Sequence, residues 1–245
     1  MNQQKTLIDV GQNLTAINSG WTFSGDVAEK FDDHINKSIP FYKESHQLII
    51  NLTDFFISED SVCYELGCST GTLIATIADR FKRLKDAKFI GIDCEQSMIN
   101  KAKEKAKAQK QKNVQFKTAD ILAYEYELAD LIILPYTAQF IAPKQRQILF
   151  NMVYDTLNWG GALILFEKTR APDARFQDMT NQLYIDYKLK EGFLAHEILA
   201  KSRSLKRVLE PFSENGNLDL MKRAGFVDIM TVFKYVNFQG FIAIK

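Results

Sequence analysis

Three carboxylates sit where an apolar run gives way to a turn. Glu65 follows Ser61-Val62-Cys63-Tyr64, Asp93 follows Phe89-Ile90-Gly91-Ile92, and Asp120 comes just after Val114–Thr118. Glu65 opens the turn Glu65-Leu66-Gly67-Cys68-Ser69-Thr70-Gly71, which precedes the helix-like stretch Leu73-Ile74-Ala75-Thr76-Ile77-Ala78. Gly67 and Gly71 carry no Cβ, so a ligand can come close to the backbone there. A helix that starts after them offers unsatisfied N–H groups. A crevice of this kind suits a ligand carrying a cationic amine, a carboxylate and a ribose.

The turn by itself admits several chemistries. A dinucleotide fingerprint needs G-x-G-x-x-G, and here Ser69 stands at the middle glycine while the last glycine falls one residue early. A nucleophile elbow needs G-x-S-x-G, which Gly67 to Gly71 satisfies, and would make Ser69 a hydrolase nucleophile. That chemistry also needs an acid and a histidine downstream, and His196 is the only histidine after Ser69. A turn with no ligand is the third reading. The other two carboxylates favour a fourth. Asp93 at a strand end can accept two hydrogen bonds from ribose hydroxyls. Asp120 can accept from an adenine amino group while the N–H of Ile121 meets a ring nitrogen. Taken singly, Asp93 could be a charge at a helix N-terminus and Asp120 an ordinary turn residue. Together the three point to S-adenosylmethionine.

The elements that position these residues alternate from Ser61 onward. Strand 61–66 leads to helix 71–81, strand 88–93 to helix 97–111 with Ser97 as N-cap, and strand 114–118 to Asp120. The run 129–134 reads as a buried parallel strand. Helix 143–157 opens with Pro143 and is broken by Gly160-Gly161 before strand 162–167. Helix 217–224 ends at Gly225, and two β-rich runs, 227–235 and 240–244, form an antiparallel hairpin. The expected fold is α/β, a doubly wound, mostly parallel seven-stranded sheet (Rossmann-like). We expect one domain over 1–245. Residues 1–58 form a helical arm with aromatic anchors Trp21, Phe23 and Phe31, in which 41–56 reads as a helix with Leu48, Ile49, Leu52, Phe55 and Phe56 on one face. Residues 173–207 form a helical insert over the crevice, a lid or a dimer contact.

The chain has 245 residues, 46% hydrophobic and 25% charged, which is ordinary for a globular protein. Its net charge of +1 gives no field that would gather nucleic acid. The basic run Lys101 to Lys112 alternates with Ala102, Ala106 and Ala108 and reads as a solvated helix face. The three cysteines, Cys63, Cys68 and Cys94, lack paired spacing and read as reduced thiols of a cytoplasmic protein. With His34, His46 and His196 scattered, no metal site is expected. The first residues lack an apolar core, so no secretion signal is expected, and no stretch is long enough to span a bilayer.

The fold signals and the three carboxylates resemble class I S-adenosylmethionine-dependent methyltransferases over residues 60–168. The segments Trp21-Thr22-Phe23, Val27 to Phe31, Ser38-Ile39-Pro40-Phe41-Tyr42, Leu66-Gly67-Cys68-Ser69, Gln139-Phe140, Glu167-Lys168 and Val236-Asn237-Phe238 are similar to the bacterial carboxy-S-adenosylmethionine synthases. That resemblance covers nearly the whole chain. It implies transfer of a carboxylate carbon from prephenate to S-adenosylmethionine, through a sulfonium ylide that captures CO2, with the product feeding tRNA wobble-uridine modification. It also implies a homodimer. Tyr42, Gly67, Cys68, Ser69, Asp93, Asp120 and Ile121 fall on the family's cofactor-contacting positions, and Cys94 lies beside Asp93 at the same crevice.

Two positions depart. Pro135 stands where the family has an asparagine. Ser202 stands where the family has an arginine that grips the cofactor's added carboxylate, and Arg203, one residue on, is the replacement the sequence offers. The resemblance therefore assigns catalytic roles to Tyr42 and Arg203. Two other functions stay open: a methyltransferase acting on a small molecule, with His196 and Tyr184 as weak candidate bases, and a non-catalytic cofactor-binding protein.

Overall fold

The computed structural model describes residues 8–10, 15–16, 19 and 27–245. Trp21 and Phe23 lie outside the described residues. Two short strands, β1 (Ile8–Asp9) and β2 (Thr15–Ala16), pair antiparallel. Helices α1 (Val27–Ser38) and α2 (Tyr42–Leu52) follow, with a 3-10 turn at Thr53–Phe55. The alternating part comprises β3 (Val62–Leu66), α3 (Thr72–Arg80), β4 (Lys88–Asp93), α4 (Gln96–Ala108), β5 (Val114–Thr118) and β6 (Ala129–Pro135). Next come α5 (Pro143–Thr156), β7 (Leu157–Lys168), α6 (Ala174–Lys190), α7 (Ala195–Ser204), α8 (Glu214–Ala224), β8 (Asp228–Tyr235) and β9 (Phe238–Ile244).

The large sheet has seven strands in the order β5-β4-β3-β6-β7-β9-β8. Pairing is parallel from β5 through β7, and β9 runs antiparallel to both of its neighbours. From β3 the chain moves outward to β4 and β5, then returns to β6 on the other side. A crevice opens at that reversal, beyond the carboxyl ends of β3 and β6.

Strand residues alternate between two apolar layers, both buried, which is why the strands read as unbroken hydrophobic runs. Leu131, Ile133, Ile164 and Phe166 pack with Ile49, Ile74 and Ile99 from α2, α3 and α4. Ile132, Leu134, Leu163 and Leu165 pack with Leu149, Phe150, Leu220 and Met221 from α5 and α8.

Four details correct the sequence reading. Gly160 and Gly161 do not separate helix from strand. They lie inside β7, at a bulge where Gly160 has φ 82° and is open to solvent on its Cβ side. Ser97 is not the cap of α4: Glu95 is, and the Ser97 hydroxyl is buried inside the helix. Phe55 leaves the apolar face, because α2 ends at Leu52 and the 3-10 turn swings Phe55 into solvent. The basic run is more than a solvated face: Lys105 of α4 is paired with Asp32 of α1.

Candidate active site

The loop after β3 is built by left-handed backbone. Gly67, Ser69 and Gly71 have φ of 77°, 49° and 73°. Two hydrogen bonds pin the loop to the neighbouring strand, from the N–H groups of Gly67 (2.7 Å) and Cys68 (3.0 Å) to the carbonyl of Ile92. The Ser69 N–H donates to Asp93 Oδ2 at 2.9 Å, and the Glu95 N–H donates to Asp93 Oδ1 at 2.9 Å. Each carboxylate oxygen keeps a lone pair for a ligand hydroxyl. Burial raises the Asp93 pKa, and the N–H donors from Glu95 and Ser69 partly offset this. Asp120, at the surface, accepts from the Leu122 N–H at 2.9 Å, and Ile121 beside it is buried.

Glu65 is the electrostatic centre of the loop. Its side chain is buried and accepts the Ile74 N–H at 2.9 Å. Burial, followed by the Asp93 charge, pushes its pKa from 4.5 to about 8, against the Ile74 hydrogen bond. Glu65 is therefore mostly neutral at pH 7 without a ligand. Its folded pKa is raised, so the ligand-free protein loses stability as pH climbs from about 4.5 toward 8. A cationic ligand favours the carboxylate. Affinity for such a ligand is expected to strengthen between pH 5.5 and 7.5, and Glu65→Gln is expected to flatten that slope. Calorimetric titration across the range checks both, and equal slopes in the two proteins would refute the linkage.

These residues line a cavity of about 420 Å3, a size suited to one small-molecule cofactor. Glu65, Gly67, Cys68, Ser69, Asp93, Cys94, Asp120, Ile121 and Pro135 form one side, and Tyr42 meets them from α2. The Tyr42 ring lies 4.1 Å from that of His46 and 5.9 Å from that of Tyr136. Burial, then the Glu65 charge, keeps its phenol protonated. Ile35 and Ser38 of α1, with Ile39 just after it, line the cavity as well. α1 is held there by Asp32, which accepts from Thr70 Oγ1 at 2.6 Å and pairs with Lys105. Burial works against the Asp32 charge, but the Lys105 and Thr70 hydrogen bonds outweigh it.

Two sequence-predicted residues stand elsewhere. Gly71 caps α3 behind the loop, with its Cα against the Phe116 ring, and does not line the cavity. Arg203 lies on the exposed side of α7, as does Ser202, and neither reaches the cavity. Lys201, two residues earlier and so on the opposite side of the helix, is the α7 cation that lines it. His196 is also exposed and outside the cavity, which removes the partner a Ser69 nucleophile would need.

The opposite end of the cavity was missed by sequence reasoning. Lys168 at the end of β7, Lys188 and Tyr184 on α6, and Lys201 line it. Lys168 Nζ lies 4.2 Å and Lys188 Nζ 4.8 Å from the Tyr184 ring centre. Burial, then the Lys188 and Arg170 charges, lowers Lys168 to about 7, and burial lowers Lys188 to about 8. His34 is held neutral, at about 3, by burial and the Lys201 and Lys188 charges. The signals were present: Lys168 sits at the carboxyl end of a parallel strand, and Lys188 is four residues from Tyr184 on one helix.

A methyltransferase-domain family model matches residues 64–161, from β3 into β7. Carboxy-S-adenosyl-L-methionine synthase of Campylobacter jejuni is 39% identical over 223 residues, covering 91% of this chain and 93% of the relative. The enzyme of the same name from Staphylococcus epidermidis is 36% identical over 226 residues, covering 92% and 97%. Human N-acetylserotonin methyltransferase, solved in complex with S-adenosylmethionine, shares the fold at a TM-score of 0.54 and 18% identity, covering 92% of this chain and 60% of that one. The loop, the strand-end carboxylates and the cavity volume fit S-adenosyl-L-methionine, which this S-adenosylmethionine-dependent transferase binds. With relatives this similar along more than nine-tenths of its length, the chain belongs to the carboxy-S-adenosyl-L-methionine synthase family, on the class I methyltransferase fold.

Proposed function

We propose that this enzyme carboxylates S-adenosyl-L-methionine: prephenate loses CO2 and its ring hydroxide to become phenylpyruvate, the S-methyl group gives up a proton that leaves with the hydroxide as water, and the resulting ylide carbon bonds to the CO2. The observation that carries this reading is the lining of one cavity: acidic side chains Glu65, Asp93 and Asp120 at the ends of β3, β4 and β5 on one side, and the amines of Lys168, Lys188 and Lys201 from β7, α6 and α7 on the other. The first side suits a cationic nucleoside and the second an organic acid. Tyr42, at the start of α2, lines the same cavity near enough to feel the Glu65 charge, where the sulfonium would rest. Its protonated phenol donates a hydrogen bond rather than acting as a base at neutral pH. Cys68, Ser69 and Cys94 line the methionine and ribose region, and Ile121 and Pro135 supply apolar walls.

The product would serve tRNA wobble-uridine modification, with RNA handled by another protein, since the net charge of +1 gives no extended attractive field. Exposed Phe176, Met179 and Leu183 on α6 support a homodimer. The free thiols Cys63, Cys68 and Cys94 support a cytoplasmic location. No described helix is long and apolar enough to cross a membrane. A second reading, methyl transfer from ordinary S-adenosyl-L-methionine to a small acid, is favoured by one feature. No arginine lines the cavity among the described residues, and a lysine cannot make the bidentate contact of a guanidinium with a carboxylate.

Mass spectrometry of the nucleoside released from heat-denatured protein separates the two. A mass raised by one CO2 is expected after incubation with prephenate, and only the unmodified nucleoside would refute carboxyl transfer. Arg203→Ala is expected to keep the carboxylated product at wild-type level, because its side chain faces solvent. Loss of that product in a folded variant would restore Arg203 to the site.

A further inference from the structure

The geometry points to a dicarboxylate-binding subsite formed by Lys168 and Lys188 around the Tyr184 ring, at the end of the cavity away from the adenine and ribose side. It rests on the reading of this cavity as one that joins a cationic nucleoside to an organic acid, and adds which residues hold the acid and how many charges they match.

Three observations converge. First, both ammonium groups line the cavity and neither pairs with a carboxylate among the described residues. Lys188 is only 7% exposed. Its neighbours there are rings, Tyr184 at 4.8 Å and Phe193 at 5.7 Å. Cation–π contact offsets only part of the cost of removing an ammonium from water. Second, the two lysines come from separate elements, the end of β7 and the last turn of α6, and meet at one ring. Third, Tyr184 is fixed: its hydroxyl donates to the Ser38 carbonyl at 2.8 Å, and its ring packs on Phe238 at 5.3 Å. A fixed aromatic ring with two lysine amines beside it, neither paired with a carboxylate, is a receptor for a compact di-acid whose apolar body lies against the surrounding rings. Lys201 also lines the cavity, where burial, then the Lys188 charge, lowers its pKa.

A merely structural role predicts the opposite of a binding role on stability. Replacing a buried, uncompensated ammonium with an isosteric apolar chain relieves strain in the empty protein. Lys188→Met is therefore expected to hold or raise Tm while weakening the acid. The test uses the full chain loaded with S-adenosyl-L-methionine, titrated calorimetrically with prephenate and with malonate. In Lys188→Met and in Lys168→Met, affinity for each di-acid is expected to fall about 10- to 100-fold, the range for losing one hydrogen bond to a charged group. Affinity for S-adenosyl-L-methionine is expected to stay within about twofold, since no lysine faces the Glu65 side. Lys188→Arg is expected to recover most of the di-acid affinity. Unchanged di-acid binding in both methionine variants, or a wild type that binds neither di-acid, overturns the inference. If the wild type binds the di-acids but yields no carboxylated nucleoside, the subsite stands and the carboxyl-transfer reading falls.

Discussion

Asp93→Ala is expected to weaken S-adenosyl-L-methionine binding at least 100-fold, the largest effect of any single side chain in the cavity. Two ribose hydroxyls donating to a carboxylate contribute about 1.5–3 kcal/mol each, or roughly two to four orders of magnitude together. The same carboxylate holds the loop. Its Oδ2 takes the Ser69 N–H and its Oδ1 the Glu95 N–H, both at 2.9 Å. Removing it leaves two half-buried N–H donors without their acceptor at the place where the cofactor must sit. Against this, the raised pKa of Asp93 means that its charge is costly to bury, so deletion also relieves something. The two effects act on different quantities. Folding stability should change little, while affinity collapses. Asp93→Asn keeps one acceptor but turns an NH2 toward one of the two N–H groups, and is expected to fall between alanine and wild type. Calorimetry together with thermal unfolding checks the pair. A folded Asp93→Ala protein with affinity within about threefold of wild type would refute the ribose assignment.

How far the sequence alone led is best judged residue by residue. β4 was bounded correctly because a hydrophobic run in a doubly covered sheet ends where the chain must turn, and β5, an edge strand in which only Phe116 is buried, because it stops short of the turn at Asp120. Glu65, Asp93 and Asp120 could be placed on one cavity because each stands at, or just past, the carboxyl end of a strand in the parallel part of one sheet, so their positions are fixed by topology. The glycines of β7 misled because a Gly-Gly pair marks a helix end or a bulge equally well, and only pairing with β6 decides. Ser97 misled because a serine one residue inside a helix looks the same as one at its cap.

The lysine-lined end of the cavity was less legible for a different reason. Its residues come from β7, α6 and α7, far apart in sequence, and nothing local says which face of an amphipathic helix looks inward. Arg203 and Lys201 show this well. They are two positions apart on α7, so one must face away if the other faces in. An ungapped alignment lands on Ser202 and a one-residue shift offers the Arg203 guanidinium, whereas packing turns the helix to present Lys201. Lys168 and Lys188 carried a readable signal individually, but their meeting at Tyr184 is a tertiary fact.

Gly67→Ala is expected to lower stability by roughly 2–5 kcal/mol, a Tm drop of about 5–15 °C, and to abolish cofactor binding. The argument has two separable parts. The first is backbone: φ is 77°, a region that costs an L-residue about 1–2 kcal/mol. The second is space. A Cβ built there would lie 2.3 Å from Thr137 Oγ1 and 2.5 Å from its Cγ2. Thr137 is β-branched, so rotating it brings another heavy atom toward the same place. The loop must then move, and with it the 2.7 Å hydrogen bond from the Gly67 N–H to Ile92, which sets the height of Ser69 above Asp93. A second change separates the parts. Thr137→Ala removes the two closest atoms and leaves the Cβ at 3.0 Å. The double variant should recover the steric share and keep only the backbone cost, and its cofactor affinity should return in step with its stability. If Thr137→Ala restores nothing, the clash is not the cause. If it restores everything, the left-handed backbone is not costly there. The first result would leave the left-handed backbone as the origin of the glycine requirement, and the second would leave the contact with Thr137.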